Sequence, residues 1–530
     1  MSKNALLSVY DKNGIVEFAQ GLVDLGWTIW ASGGTAKKLS ENNIKVSDVS
    51  SLVGGGAILG HKVVTLSREI HAGLLADYSD KETKELEELK IPRIDLVCGD
   101  LYPLKEEIAK EGSNRESVIA QTDMGGPAML RSAAKGRRIV ISKASQRSLV
   151  LDWLKEDKPN EDKFITGLVA TAEAVVAGYA LRSANYQSGG SYDGEITKLV
   201  ATAAYGENPW QKRAALFANN SDDSLAITKF KQIEGVAPSY NNYADFDRLL
   251  QTITHIAAGF DVNTGITPAI AVGGKHGNAC GASVNDDPAE AIKAMLEGDL
   301  RAIFGGVIMT NFEITDDLAE IILLHEVVKG KRLLDAVIAP SITKDAQELL
   351  KRKKDKCRLL VNPALGSLDK DSLDKAFRTR YVRGGKLVQE NYTYIIELKE
   401  AGADKLEESV KRDLLLAWAI GSTSNSNTIS LVNNGKLIGN GVGQQDRVGA
   451  AELAVKRAKD AKHEIKGAVA YSDSFFPFAD GPLVLAEAGV KTILATSGSI
   501  ADASVAESVR QAGAQILTIA DAQSRGFYAH

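Results

Sequence analysis

Short apolar runs alternate with amphipathic segments along the first half of the 530-residue chain, and this alternation restricts the fold more than any other feature. Residues 5–9 and 27–31 have the composition of buried strands, and the segment between them has apolar residues at helical spacing. Residues 94–98 and 138–141 continue the series of strands. Repeated strand–helix units of this kind predict an α/β fold with a mainly parallel sheet covered on both faces.

A glycine- and serine-rich stretch at residues 187–191 has the composition of a linker, and we expect the main domain boundary close after it. The second half is also α/β but less regular. In it, a strand pattern at residues 268–272 is followed by a polar loop and a capped helix. A second strand pattern at residues 467–471 is followed by an aromatic segment and a helix from Pro482. This similar layout predicts two related lobes.

The composition excludes several classes of protein. A formal net charge of -5 argues against a general nucleic-acid binder, which carries a basic face. The basic run at residues 351–358 is interpreted as a solvated face. The three cysteines lie far apart without a Cys-x-x-Cys pair, which indicates a reducing compartment. The N-terminus lacks the apolar core of a signal peptide and no uninterrupted apolar stretch has membrane-spanning length, so we expect a cytoplasmic protein.

Lys275 and His276 are adjacent where a strand ends and a glycine-bearing loop begins, a position at which α/β proteins bind ligands. The ammonium disfavours the imidazolium form of the histidine, which favours a neutral base near pH 7. Asp287 and Pro288 then have the pattern of a helix start. This pattern fits either of two interpretations: Lys275 and His276 are ordinary surface residues, or they are a catalytic pair. We expect no zinc, because Cys280 has no partner cysteine.

Two glycine turns between a strand and a helix offer backbone N–H groups to an oxyanion. Residues 32–35 form the first, and Lys12 can reach the same edge of the sheet; a phosphate site and an ordinary turn both fit. Residues 123–127 form the second and open a helix that carries Lys135 three turns further on, although a helix cap alone also explains them. The aromatic segment at residues 473–478 fits either a platform for a planar ring or core packing.

The order of these motifs along the chain is more specific than any one of them. The sequence resembles the bifunctional purine-biosynthesis family that joins phosphoribosylaminoimidazolecarboxamide formyltransferase to IMP cyclohydrolase. The resemblance runs nearly end to end. Besides the segments above, it includes residues 101–103, Tyr205-Gly206-Glu207-Asn208-Pro209, residues 239–242, Phe304-Gly305-Gly306, residues 441–447 and Ser497-Gly498-Ser499.

The resemblance implies a chain of three parts. Residues 1–190 would form an IMP cyclohydrolase domain with a methylglyoxal-synthase-like parallel sheet. Residues 200–365 and 366–530 would form two formyltransferase lobes that are similar to cytidine deaminases but lack zinc. The expected function is the last two steps of IMP synthesis: formyl transfer from 10-formyltetrahydrofolate to aminoimidazole carboxamide ribonucleotide, then dehydrative ring closure. Members of the family are usually homodimers that act on small molecules, with no role for a metal, a nucleic acid or a membrane.

The resemblance also assigns site residues, each by its position in a matched motif. In the cyclohydrolase, the substrate would contact Lys12, Ser32, Gly33, Gly34, Thr35 and Gly125. Catalysis there would fall to Tyr102, Asp123 and Lys135, and Lys62 is a further candidate that lies near the motif's lysine position rather than at it. In the transferase, His276 would act as general base with help from Lys275 and Asn427. The other expected ligand contacts are Tyr205, Gly206, Asn242, Gly305, Gly306, Arg447, Phe475, Asp480, Gly498, Ser499 and Arg525.

Several motif positions depart from the family pattern. Val64 stands where the cyclohydrolase lysine is expected, and Lys62 is a nearby basic side chain. Ala204 replaces the arginine before Tyr-Gly, Trp210 replaces a histidine, and Ala279 replaces the proline of the Lys-His loop.

Two registers are possible for the ligand-binding asparagine within residues 424–427, and Asn427 is preferred because it continues without a gap into the next motif. The departures leave three alternatives open. The cyclohydrolase half could be weak or rewired. The formyl donor could differ from the folate, with formyl phosphate as a substitute. The chain could also be a non-catalytic nucleotide-binding homologue.

Overall fold

The computed structural model describes residues 3–59, 63–219 and 221–529. The chain forms two compact units, Met1–Thr197 and Lys198–His530. Each unit has its own main sheet and its own hydrophobic core.

A five-stranded parallel sheet forms the centre of the first unit, with the strand order β3-β2-β1-β4-β5. Its central strand is apolar, and Ala5, Leu6 and Leu7 have no exposed surface, so both faces of the sheet are covered. The predicted parallel α/β sheet is therefore confirmed. The strands are β1 (Lys3–Ser8), β2 (Trp27–Ala31), β3 (Val46–Asp48), β4 (Leu96–Gly99) and β5 (Ile139–Ile141).

Helices return the chain from the carboxyl end of one strand to the amino end of the next. The first helix buries Ile15, Phe18 and Leu22 on one face. It ends before Gly26, whose φ of 79° is a left-handed conformation that glycine adopts without strain. The helices are α1 (Ile15–Asp24), α2 (Gly33–Glu41), α3 (Arg68–Leu75), α4 (Asp80–Glu88), α5 (Leu104–Ala109), α6 (Arg115–Ala120), α7 (Gly125–Lys135), α8 (Gln146–Lys155) and α9 (Glu161–Gln187).

Among the described residues, α9 is the one helix long and apolar enough to cross a membrane, judged by length and composition alone. Its most apolar stretch has a mean hydropathy of 1.6 and is 22% buried. Leu168, Ala172 and Tyr179 pack inward, and Glu173 lies in the middle of the helix, 3.4 Å from Arg131 in an ion pair. The helix therefore packs against the first unit, and its exposed positions are mainly small or polar residues, such as Ala170, Ala174 and Ala177.

An eleven-stranded mixed sheet forms the centre of the second unit, in the order β20-β19-β18-β16-β17-β10-β9-β11-β12-β13-β8. Two further pairs, β6-β7 and β14-β15, form separate hairpin-like sheets. The strands are β6 (Lys198–Thr202), β7 (Ala215–Ala218), β8 (Lys231–Glu234), β9 (Ala269–Lys275), β10 (Asn278–Asn285), β11 (Val307–Thr310), β12 (Ala336–Ala339), β13 (Arg358–Val361), β14 (Arg378–Val382), β15 (Gly385–Gln389), β16 (Ile429–Asn433), β17 (Lys436–Gly441), β18 (Val469–Ser472), β19 (Thr492–Ser497) and β20 (Gln515–Ala520).

The large sheet contains one arrangement twice. In each half an antiparallel hairpin, β9-β10 or β16-β17, is followed by three parallel strands, β11-β12-β13 or β18-β19-β20. The first of the three strands is antiparallel to the hairpin strand beside it in both halves. The halves meet where β10 pairs with β17, at Ser283 and Lys436.

A long helix precedes each hairpin, and these two helices, α10 and α14, pack against each other. Their contact buries His255 and Trp418 among the aliphatic side chains of the core. The helices of the unit are α10 (Tyr240–Thr264), α11 (Pro288–Glu297), α12 (Asp316–Leu324), α13 (Lys344–Leu350), α14 (Glu408–Ser422), α15 (Arg447–Asp460), α16 (Asp480–Glu487), α17 (Asp502–Gln511) and α18 (Asp521–Ser524).

Candidate active sites

His276 and Gly277 are the two turn residues of the β9-β10 hairpin. Both have positive φ, 53° and 72°, as a type I′ turn requires. The sequence predicted a loop that leads directly into a helix, and this detail is wrong. Residues 278–285 instead form a strand, because Ala282 and Val284 alternate into the core while the chain pairs with β9. The predicted helix start follows that strand.

Lys275 ends β9 and lies beside the turn at residues 304–306. Its Nζ donates to the Phe304 carbonyl at 2.9 Å, and a Cβ added to Gly305 would lie 3.9 Å from that Nζ. A Cβ on Gly306 would approach the Gly274 carbonyl to 2.9 Å. The two predicted glycines therefore leave room for Lys275 and for the end of β9.

Asp245 of α10 holds the hairpin turn. The Gly277 N–H donates to its Oδ1 at 2.6 Å. Burial raises the pKa of this carboxyl, although the hydrogen bond from Gly277 and the nearby His276 act in the opposite direction. A narrow, shallow pocket lies beside the turn and is lined by Asp245, Arg248, Leu249, Thr252, Gly274, Lys275, Gly277, Asn278 and Ala279.

Two asparagines after α14 have different surroundings. The Asn425 N–H donates to Asn278 Oδ1 at 3.2 Å, and Asn425 Oδ1 accepts from Arg248 Nη2 at 2.9 Å. Asn427 Nδ2 instead donates to the Gln444 carbonyl at 2.9 Å. Of the two possible registers, Asn425 is therefore the one hydrogen-bonded to the pocket wall, while Asn427 is fixed to the turn before α15.

Arg447, an expected ligand contact, is paired within the protein. Its Nη1 lies 2.6 Å from Oδ1 of Asp473, which has no exposed surface. Ser426 Oγ donates to the other oxygen of Asp473 at 2.6 Å. The pair thus ties the start of α15 to the end of β18 and to the segment that carries Asn427.

Phe475, Gly498 and Arg525 come together at the carboxyl ends of β18 and β19. The Arg525 guanidinium lies 5.6 Å from the centre of the Phe475 ring, and a Cβ on Gly498 would lie 3.8 Å from that ring. Asp521 holds Arg525 in an ion pair of 2.6 Å. Phe476 is buried in the core, so the aromatic segment supplies both one accessible ring and one core side chain.

Tyr205, Gly206 and Asn242 lie at the start of α10. Asn242 completes a capping box, since its Oδ1 accepts from the Ser239 N–H at 2.9 Å and its own N–H donates to Ser239 Oγ at 3.2 Å. The Tyr205 carbonyl accepts from the Tyr240 N–H at 2.9 Å. These residues fix how the chain enters the helix that carries Asp245.

The side chains of Asp480 and Ser499 accept hydrogen bonds from backbone N–H groups that are close in sequence. Asp480 Oδ1 accepts from the Gly481 N–H at 2.8 Å at the start of α16, and Ser499 Oγ accepts from the Ala501 N–H at 3.1 Å. Asp480 is exposed and Ser499 is half-buried, so both keep oxygen atoms near the surface.

In the first unit, Lys12 lies over the start of α2. Its Nζ donates to the carbonyls of Val9 and Tyr10 at 3.2 Å each, and a Cβ on Gly34 would lie 3.6 Å from that Nζ. The ammonium and the first N–H groups of residues 32–35 therefore meet at the carboxyl edge of the parallel sheet, where an oxyanion is favoured.

Asp123 and Tyr102 lie at the same edge. Asp123 Oδ1 accepts from the Gly126 N–H at 2.8 Å, and Oδ2 accepts from the Tyr102 N–H at 3.4 Å. Burial raises the pKa of the Asp123 carboxyl. The Tyr102 and Tyr10 rings are 5.6 Å apart, centre to centre, which joins this pair to the loop of Lys12.

The segment around Val64, where the family has a lysine, lies next to the start of α7. A Cβ on Gly125 would lie 2.9 Å from Thr65 Oγ1. Val64 is half-buried and packs against the apolar core. Lys62 lies outside the described residues.

Lys135 lies apart from the other cyclohydrolase residues of the same chain. It ends α7, whose first turn contains Gly125, so about 15 Å of helix separates the two ends. The reason is topological: α7 returns the chain from the carboxyl edge of the sheet to the start of β5. Lys135 is exposed at that opposite edge.

Sequence reasoning missed Asp245 and Arg248 in the second unit. It also missed Asp100 and Arg147, which form an ion pair of 3.6 Å beside Lys12's loop. The available signal for Asp245 and Arg248 was a polar stripe along α10, where Asn242, Asp245, Arg248 and Thr252 recur at helical spacing. Within the described part of the chain, no group of three or more His, Cys, Asp or Glu side chains could hold a metal.

Comparisons with known proteins find two family models along the chain. The family model described as "AICARFT/IMPCHase bienzyme" matches residues 133–457, and the model described as "MGS-like domain" matches residues 14–128. The chain belongs to the AICARFT/IMPCHase bienzyme family and is a bifunctional formyltransferase and cyclohydrolase. The predicted family, the enzyme class and the α/β fold with an N-terminal methylglyoxal-synthase-like domain are thereby confirmed.

Several relatives match over nearly the whole chain. Each is described as "Bifunctional purine biosynthesis protein PurH". The protein of Anoxybacillus flavithermus is 36% identical and covers 95% of both chains. That of Rhodopirellula baltica is 34% identical and covers 94% of both. That of Persephonella marina is 32% identical and covers 97% of this chain and 98% of its own. The solved structure described as "Crystal structure of ForH" is 31% identical over 35% of this chain and 98% of its own, with a TM-score of 0.31.

Proposed function

We propose that the second unit transfers a formyl group from 10-formyltetrahydrofolate to aminoimidazole carboxamide ribonucleotide at the β9-β10 turn. The observation that carries this proposal is an exposed imidazole at position 276 in the hairpin turn, next in sequence to Lys275, whose ammonium is held by the Phe304 carbonyl. An aromatic amine next to a carboxamide is a weak nucleophile, so its attack on the formyl carbon needs a base and a polarised formyl oxygen. His276 takes the amine proton, Lys275 stabilises the developing oxyanion, and the proton leaves with the folate nitrogen.

We propose that Asn427 or Asn425, Phe475 and Arg525 position the formyl donor and the heterocycle. The two registers make different predictions. If Asn427 is the ligand contact, Asn427→Ala raises the KM of the donor and Asn425→Ala acts through the pocket wall and Arg248. The opposite result assigns the contact to Asn425. The repeated hairpin and three-strand halves also support a deaminase-like origin for the two lobes.

The first unit then closes the formylated carboxamide to IMP with loss of water. Lys12 and the α2 start bind the phosphate of the nucleotide, and Tyr102 and Asp123 act at the reacting end. Burial raises the pKa of Asp123, which supports a carboxyl that exchanges protons closer to neutral pH than a free aspartate does.

A coupled assay tests both steps. Purified protein given the carboxamide ribonucleotide and 10-formyltetrahydrofolate should form IMP. Accumulation of the formylated intermediate would remove the cyclohydrolase step and point to Val64 as the cause. Absence of any turnover would remove both. Replacing the folate by formyl phosphate in the same assay tests the identity of the donor.

We propose that the active form is a homodimer in which Lys135 of one copy completes the cyclohydrolase site of the other. One observation supports this: Lys135 lies about 15 Å from Gly125 along α7, at the opposite edge of the parallel sheet. Mixing Asp123→Ala with Lys135→Ala protein should restore ring closure to about a quarter of wild type, because one site in each mixed dimer is intact. If a mixture proven to exchange subunits shows no recovery, the shared site is contradicted.

The three free cysteines support a cytoplasmic location.

A further inference from the structure

Arg248 lies on α10 one turn after Asp245 and forms part of the pocket beside the Lys275–His276 turn. A Cβ added to Gly277 would lie 3.4 Å from Arg248 Cγ and 3.7 Å from Nη1. The guanidinium therefore packs against the turn, on the side where Gly277 has no side chain. No step proposed above uses this cation.

The hydrogen bonds of Arg248 occupy one end of its guanidinium. Nη2 donates to the Thr423 carbonyl at 3.0 Å and to Asn425 Oδ1 at 2.9 Å. Among the described residues, the hydrogen bonds of the Arg248 η nitrogens to the protein come from Nη2, and Nε is buried without a partner. The buried Nε–H is costly without an acceptor, and Nη1, which is not among the buried unpartnered atoms, is open to an acceptor from outside the chain.

Tyr528 fixes the plane and position of this guanidinium. The ring lies 4.1 Å from the Arg248 guanidinium on one face and 3.6 Å from that of Arg378 on the other. The Tyr528 hydroxyl donates to Asp247 Oδ2 at 2.7 Å, and Arg378 Nη1 donates to the Tyr528 carbonyl at 2.6 Å. Arg378 is not part of the pocket wall, so the two arginines share a platform but differ in access to a ligand.

We propose that Arg248 binds an oxyanion of a substrate at the formyl-transfer site, presented by the Tyr528 ring. The inference rests on the proposed transferase function. The oxyanion is the phosphate of the ribonucleotide or a carboxylate of the folate donor. Burial lowers the pKa of Arg248 only to about 10, so the group stays charged at neutral pH. Together with Lys275 it gives the pocket two cations, one for the reacting group and one for a remote anion.

Steady-state kinetics of the full-length protein with both substrates varied test this role. Arg248→Gln should raise the KM of the substrate whose anion it holds by about 10- to 100-fold, with kcat less affected. Arg248→Lys, which keeps the charge, should recover part of the loss.

The two sources of the anion are separated by calorimetry with the ribonucleotide and with the corresponding ribonucleoside. If the phosphate is held, wild type prefers the ribonucleotide and Arg248→Gln loses that preference. If the folate carboxylate is held, the KM of the donor rises and the preference for the ribonucleotide is unchanged.

Arg378→Gln is the matched control, because it removes a guanidinium from the other face of the same ring. Its KM values should change by less than about threefold. Equal effects of the two variants, or unchanged KM values in a folded Arg248→Gln protein, would overturn the proposal. If wild type transfers no formyl group, the proposed function fails, while ribonucleotide binding by Arg248→Gln and wild type still tests the anion site.

Discussion

The two hairpins of the large sheet have the same geometry and different turn residues. His276-Gly277 and Asn434-Gly435 both occupy a two-residue turn, with φ values of 53° and 72° in the first and 53° and 70° in the second. In both, an aspartate of the preceding long helix accepts hydrogen bonds from the turn.

The difference lies in one side chain. Asn-Gly is the preferred pair for a type I′ turn, since asparagine tolerates the left-handed conformation. The first hairpin has histidine at that position although histidine gains less from it. The same supporting structure therefore has the favoured residue in one copy and, in the other, the histidine that we propose as the catalytic base. The turn holds the imidazole out of the sheet, exposed beside Lys275.

His276→Asn makes the first turn like the second and should have the largest effect. Formyl transfer should fall by about 10²- to 10⁴-fold, because the base is lost. The free energy of unfolding should stay within about 0.5 kcal/mol of wild type, because asparagine suits the turn. Single-turnover formyl transfer and denaturant unfolding measure the two quantities. Ring closure of supplied intermediate should be unchanged, and the reverse variant Asn434→His should gain no activity. A loss of both activities would contradict separate sites.

The two turn glycines should differ in their tolerance of a side chain. A Cβ on Gly435 would lie 2.8 Å from the Val284 carbonyl and 2.5 Å from Arg412 Nη2, whereas one on Gly277 first meets Arg248 Cγ at 3.4 Å. Gly435→Ala should cost about 2–4 kcal/mol of unfolding free energy, from backbone strain and overlap. Gly277→Ala should cost about 1 kcal/mol, from strain alone. Urea unfolding compares them, and equal losses would mean that the two turns are equally packed.

Acid should lower the stability of the second unit through His255, which is buried on α10. Burial lowers the pKa of this imidazole to about 4 from 6.5. Since the unfolded state binds the proton first, stability should be complete above pH 6.5 and decline by about 2–3 kcal/mol in total as the pH falls towards 4. His255→Gln should flatten the pH dependence of unfolding over this window. If the unfolding free energy falls with pH equally in both proteins, groups other than His255 control the acid sensitivity.

Asp245 and Asp413 each support one hairpin turn, and replacing them should affect activity and stability differently. Asp413 is buried and accepts from both Asn434 and Gly435, at 2.8 Å and 2.5 Å. Asp413→Ala should cost about 1–2 kcal/mol of stability and leave kcat unchanged in the folded protein. Asp245→Ala should cost less stability and lower kcat, because the turn that carries His276 loosens. Thermal unfolding and kcat, measured on the same preparations, distinguish them, and a normal kcat for Asp245→Ala would remove its positioning role.

The sequence was informative wherever a pattern is local. The parallel sheet of the first unit, the helix start at Asp287 and the strand before Lys275 follow from apolar spacing and capping residues. The β10 strand was missed because His-Gly lacks the usual signal of a two-residue turn. Arg248 was missed because its contact with Asn425 joins segments 177 residues apart, which no local pattern reports. The separation of Lys135 from Asp123 likewise depends on the direction of α7 in three dimensions.

The pairing of β10 with β17 has a consequence for how the chain is made. Ser283 and Lys436 become partners only after about 150 intervening residues have been synthesised, which takes about 10–30 s at ordinary translation rates. During that interval β10 is the edge of a half-sheet with unpaired backbone groups, and such edges recruit other strands. Slow closure of this long-range contact should limit the folding rate of the second unit and make nascent chains dependent on chaperones. The seam at the centre of the finished sheet is thus an open edge of the unfinished one.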